Sequence, residues 1–158
     1  MKRESPYDGK SVRWSLSVLL FVFSCLLFCI VSCSRQQPVY QEPFVRGTDI
    51  AIDVSTLGYE KPVFFTYHYR GKKINFFIFK TGDRVLSFLD ACASCYTSRL
   101  GYRAEDGFIT CRRCDVRYAL SDIEKGFGSC SPIRLEGRLE AGKYLIPVSL
   151  LEKAVDKF

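Results

Sequence analysis

The chain holds a single histidine, His68, and it shows no phosphate-cradling glycine loop, no nucleophilic triad and no general base. These absences leave hydrolytic and phosphoryl-transfer chemistry without its usual groups, so no turnover chemistry of its own is expected. Neither Cys-x-x-Cys pair is followed by histidine. Tyr96 and Asp115 stand there instead, which excludes c-type haem attachment. The lysines and arginines are dispersed rather than clustered, so the electrostatic footprint of a nucleic-acid binder is missing. His68 lies in Tyr67-His68-Tyr69 on a predicted strand and reads as a half-exposed strand residue rather than a ligand. No repeat is visible beyond the two Cys-x-x-Cys pairs.

The first 32 residues read as an export leader. Lys2, Arg3, Lys10 and Arg13 outweigh Glu4 and Asp8, and an uncharged run from Trp14 to Ser34 follows, as in a secretory signal. The run contains Ile30-Val31-Ser32-Cys33, which resembles a bacterial lipobox and makes Cys33 the expected acylation site. Cys25 and Cys29 are then small apolar residues of the leader. The alternative is an uncleaved transmembrane helix, for which about 20 apolar residues are enough. Either reading keeps the basic end in the cytoplasm and everything after Cys33 outside. Ser34, where Asp would signal inner-membrane retention, points to the outer membrane in a cell that has one, and otherwise to the outer face of the plasma membrane.

Residues 33–47 are polar, carry two prolines and read as a lipidated flexible tether. Residues 48–158 read as one cysteine-rich metal-binding domain. Alternation from Asp49 to Val54 predicts a strand. Val63 to Tyr69 and Lys73 to Lys80 predict a hairpin around Arg70-Gly71-Lys72, and Val85 to Leu89 continues it. Such a run suggests an antiparallel meander with one solvated face. Residues 91–131 then read as loops with short apolar pieces at Gly107–Thr110 and Tyr118–Leu120, and with one helical turn from Ser121 closed by Gly126. Lys143 to Val148 predicts a last strand, and Ser149 to Phe158 a short helix capped by Ser149. The expected fold is α+β, mainly β: a β-meander, a loop-rich, zinc-ribbon-like four-cysteine metal-binding region, and a short C-terminal helix. A domain of this size buries roughly two-thirds of its unfolded surface, so it does not need disulfides to fold.

The remaining cysteines are Cys92 and Cys95, then Cys111 and Cys114 after fifteen intervening residues, then Cys130 after fifteen more. A Cys-x-x-Cys turn can aim two sulfurs at one point while its backbone N–H groups face them, and two such turns supply a tetrahedral site. Four thiolates that close repel without a cation, so Cys92, Cys95, Cys111 and Cys114 are the expected ligands. Disulfides are the alternative in an exported protein, although five cysteines leave one over. Cys130, set among glycines, is a candidate fifth ligand, a spare for ligand exchange or a buried thiol. Arg99, Arg103, Arg112, Arg113 and Arg117 lie beside the ligands. Most read as solvated surface, with Arg112 and Arg113 as candidates for tuning the centre through hydrogen bonds.

Asp90-Ala-Cys92-x-x-Cys95-Tyr96, Gly101-Tyr102-Arg103, Cys111-Arg-Arg-Cys114 and Gly128-Ser-Cys130-Ser-Pro-Ile-x-Leu135 resemble the FtrD-like family of membrane iron–sulfur proteins, as does the Phe-rich run at 76–80. The resemblance spans about residues 48–158. It implies a membrane-associated redox protein with an iron–sulfur cluster, in some cases linked to ferrous-iron transport, and by position it implies the four paired cysteines as ligands with Cys130 possible. Asp115 replaces a glycine common after the second pair, so a looser turn is expected at Cys114. The leader lacks a twin-arginine pair, which implies export unfolded. A cluster built in the cytoplasm would not survive that route, whereas single iron or zinc ions can be captured as the site folds. The leading expectation is thus an electron-transfer or metal-handling lipoprotein with an iron or iron–sulfur centre, a membrane anchor at Cys33 and a redox or iron-transport partner. The alternatives are a structural zinc-binding interaction module of the cell envelope and, third, thiol–disulfide exchange.

Overall fold

The computed structural model describes Val18 and residues 21–23, 37–125 and 130–158. Cys25, Cys29, Cys33, Gly126 and most of the leader lie outside the described residues, and among those described no helix is long and apolar enough to cross a membrane. From Gln37 onward the chain is one unit. Its strands are β1 (Tyr40–Gln41), β2 (Val45–Arg46), β3 (Asp49–Asp53), β4 (Val63–Tyr69), β5 (Lys72–Thr81), β6 (Arg84–Cys92), β7 (Tyr102–Glu105), β8 (Phe108–Cys111), β9 (Arg117–Ala119), β10 (Pro132–Leu135), β11 (Arg138–Glu140) and β12 (Lys143–Pro147). One α-helix follows, α1 (Val148–Lys153), and a 3-10 turn at Val155–Lys157 ends it.

The meander exists as β4-β5-β6, the middle of a five-stranded sheet in the order β1-β4-β5-β6-β10. Arg70 (φ 48°) and Gly71 (φ 74°) make the tight first turn, matching the strand twist that left-handed residues favour in two-residue hairpins. The expectation of one solvated face does not hold. β5 is apolar on both faces: Ile74, Phe76 and Ile78 point one way, Phe77 and Phe79 the other, and none is exposed. A continuous apolar run is the mark of a strand covered on both sides. One face packs on a second sheet, β11-β12-β3-β2, and on Leu151 of α1. The other packs on a third sheet, β7-β8-β9, which carries the second cysteine pair.

Several elements differ from the reading of the sequence. β3 leaves the meander and pairs with β12, from Asp49 opposite Pro147 to Asp53 opposite Lys143. The polar tether ends earlier than its composition suggests. Tyr40 and Gln41 pair in parallel with Phe64 and Phe65, so backbone hydrogen bonding recruits a segment that has no apolar period. Residues 102–119 form a sheet rather than loops, because their short apolar pieces find the aromatic face of β5 and β6 to cover. The helical turn expected at Ser121 is a 3-10 turn over Leu120–Lys125. Ser149 lies inside α1, which begins after Pro147 with no side-chain cap. His68 is an exposed β4 residue facing Glu42 at 3.6 Å, as a strand position predicts.

β11 sits at a sheet edge and is tied across to β3 by a two-pronged ion pair, with Arg138 donating to both Asp49 oxygens at 3.0 and 2.8 Å. That hydrogen bonding holds the Asp49 carboxyl below its ordinary range. A lowered folded-state value stabilises the fold above the unfolded carboxylate pKa, and the gain is lost as pH falls through the folded one. Arg138→Ala should therefore return the Asp49 titration, followed by NMR, towards about 3.9. An unmoved titration would remove the pair from the account.

Candidate metal centre

The two Cys-x-x-Cys turns stand at equivalent places. Cys92 ends β6 and Cys111 ends β8, and each chain then folds back in a tight turn: Cys95 N–H donates to Cys92 O at 3.2 Å, and Asp115 N–H to Cys111 O at 2.9 Å. Each turn aims amides at its first sulfur. Cys92 Sγ accepts from the backbone N–H groups of Ser94 and Cys95, and Cys111 Sγ from those of Arg113 and Cys114. Cys114 Sγ accepts from the Val116 amide. The looser turn expected from Asp115 is not found. Asp115 adopts φ 56°, the left-handed conformation that Asp tolerates better than most residues, and Arg103 holds its carboxylate at 3.1 Å.

Cys130 joins the pairs through β10. Pro132 lies opposite Cys92 in the β6–β10 register, and Ala93 N–H donates to Ser131 O at 2.9 Å. The Tyr118 hydroxyl donates to the Cys130 carbonyl. The sulfurs fall into two close groups, Cys92 with Cys95 and Cys111, and Cys95 with Cys114 and Cys130, all within 4.8 Å inside each group. All five are free thiols. Burial grades across them: Cys92 and Cys111 are 3% and 1% exposed, whereas Cys114 is open to solvent.

Burial raises every thiol here, and neighbours decide which still ionise. Amides and adjacent groups outweigh burial at Cys92 and Cys114 and hold them below the ordinary thiol value. At Cys95 and Cys111 burial wins and pushes the thiols up. Cys130 is pushed up to about 11, first by its hydrogen bond with Cys114 and then by burial. The five thiols thus differ in how readily they give up a proton, Cys92 and Cys114 most readily. A metal entering the site displaces those protons, because only thiolates ligate.

Beneath the sulfurs lies an aromatic floor in which Phe77 touches Phe88 and Tyr102, with centroids 5.6 and 5.9 Å apart. The Tyr102 side chain is fully buried and its hydroxyl makes no conventional hydrogen bond. The Cys92 and Cys111 sulfurs and Tyr118 lie near it, and the O–H is a donor placed for a thiolate at Cys92. Next to Cys92, the buried Asp90 accepts from Tyr40 O–H at 2.5 Å and from Tyr102 N–H at 2.6 Å. Burial raises its pKa to about 6 despite those bonds and the nearby Arg112. Arg112 faces this carboxyl, beside a cavity that Arg99 and Lys157 also line, and Arg113 reaches Cys111 through its amide. Composition alone did not mark Tyr40, Asp90 or Tyr102 as site residues. The signal lay in the Asp90-Ala-Cys and Gly101-Tyr102 pairings, whose partners only the fold joins.

No curated protein and no solved structure matches the chain. Residues 57–158, which are 102 of the 158, match the family described as membrane iron–sulfur containing protein FtrD-like. The match contains both knuckles, Asp90, Tyr102 and Cys130, and the chain belongs to the FtrD-like family of membrane iron–sulfur containing proteins.

Proposed function

We propose that the five-cysteine cluster holds an iron-containing centre, and that the protein carries electrons or handles metal on the outer side of a bacterial membrane. The observation that supports this most is the convergence of two matching turns, which aim five backbone N–H groups at three of the five sulfurs. The donor set fits iron. Thiolates are its soft ligands in iron–sulfur proteins, and hydrogen bonds to the sulfurs set the potential there. Cys92, Cys95, Cys111 and Cys114 would hold the group, with Cys130 beside them, and iron bound there would supply one-electron chemistry. The chain's own residues then do three things. The amides and the Tyr102 hydroxyl offset thiolate charge. Phe77 and Phe88 keep water from the buried side. Cys114 leaves the outer side open to a partner.

The test is metal analysis with a visible spectrum on the full chain, exported by its own leader and purified without oxygen. Iron, with absorption bleached by dithionite, is the expected result. One colourless zinc per chain would overturn it and make the site structural, since zinc is redox-silent. The anchor has its own test. Cys33→Ala should leave an uncleaved precursor without palmitate label, and unchanged labelling would reject the lipobox.

A further inference from the structure

We infer that the five cysteines seat two thiophilic metal ions that share the Cys95 sulfur, rather than one ion with a spare thiol. The sulfurs do not form one even set. They form two triplets, Cys92–Cys95–Cys111 and Cys95–Cys114–Cys130, and Cys95 alone belongs to both. Metal–sulfur bonds of about 2.3 Å set in a tetrahedron put two sulfurs about 3.8 Å apart. Cys114 and Cys130 lie 3.6 Å apart, which is such an edge. Cys130 therefore stands as a ligand beside Cys114.

Its position is also built. The β6–β10 register and the Tyr118 hydroxyl bond hold the Cys130 backbone against the cluster. Charge favours two ions as well: two divalent cations offset four of five thiolate charges, where one cation offsets two. The triplets differ in setting. The first has Cys92 and Cys111 buried against the aromatic floor, and the second opens to solvent through Cys114. With three protein sulfurs each, both ions keep a fourth position, and at the outer ion an incoming ligand can reach it. A bridging thiolate is the economical way to place two cations on an odd number of ligands. The inference rests on the proposed reading of these cysteines as metal ligands, and not on the metal being iron.

The experiment is a titration of the full chain, demetallated, reduced and kept in detergent, with cadmium-113 ions. Thiolate-to-cadmium absorption should saturate at two equivalents, and NMR should show two cadmium resonances that split each other through the shared sulfur. Cys130→Ser should lower the stoichiometry from two to one. Cys114→Ser should do the same, which guards against misfolding of either variant alone. Saturation at one equivalent, or two resonances without mutual splitting, overturns the proposal. Iron in the native protein combined with a single cadmium would reject the shared sulfur and leave the iron centre standing. Zinc alone in the native protein with two coupled cadmium signals would do the reverse.

Discussion

Cys95→Ser should strip the chain of metal, lowering content in the purified protein to a small fraction of the wild-type value. Cys95 is the sulfur common to both close groups, so its loss breaks each of them at once. A serine hydroxyl is a poor ligand for a thiophilic ion, since it must ionise from a far higher pKa than a thiol. Structural zinc sites carry apparent binding energies on the order of 10 kcal/mol shared among their ligands, so losing the sulfur common to both groups weakens binding at each of them. The effect should extend to order. The 3-10 turn after Cys95 packs Tyr96 against Lys157, with the ammonium 4.6 Å from the ring. Proteolysis should then cut first between residues 93 and 101, ahead of the covered strand β8. Retention of full metal content in this variant would reject the ligand assignment.

Gly101→Ala should destabilise the domain by about 3 kcal/mol or more. Two independent effects add there. Gly101 has φ 67°, where an L side chain is strained by about 1–2 kcal/mol. A Cβ at this position would also run into the Asp90 carboxyl. That group cannot move aside without giving up its bonds to Tyr40 and to the Tyr102 amide, and a buried polar group left unpaired costs roughly 1–3 kcal/mol more. Gly107→Ala separates the two effects, since Gly107 has φ 76° but nothing within 4 Å of an added Cβ. Chemical denaturation should show a loss of about 1 kcal/mol there, from backbone strain alone. Equal losses at the two glycines would mean that the Asp90 contact carries no weight. Gly101→Ala should also disturb the centre, because the displaced carboxyl is two residues from Cys92.

Local chemistry was legible from local residues. The Arg70-Gly71 turn, the strands on either side of it and the two Cys-x-x-Cys knuckles are determined over a few neighbours, and each was visible in the chain's order of residues. The exposed position of His68 followed in the same way. Asp115 was harder to read, because a residue that tolerates a left-handed backbone looks like the loss of glycine until the Arg103 ion pair is seen. The run at 73–80 reads locally as part of a meander with one solvated face, although its unbroken apolar stretch is the pattern of a strand covered on both sides. What covers those faces is not legible there, since that depends on segments far along the chain.

The sequence by itself determined which side chains can bind metal and which short segments would be strands. Ligand type, turn residues and the two-residue period act through covalent geometry. Only the tertiary structure decided that Cys130 belongs to the cluster, because β10 brings it there by pairing with β6 about forty residues back along the chain. Only the tertiary structure joined Tyr40, Asp90, Gly101 and Tyr102, whose contacts span up to 50 residues. Such contacts form where burial of the aromatic face outweighs the entropy of closing long loops, and no local pattern encodes that balance.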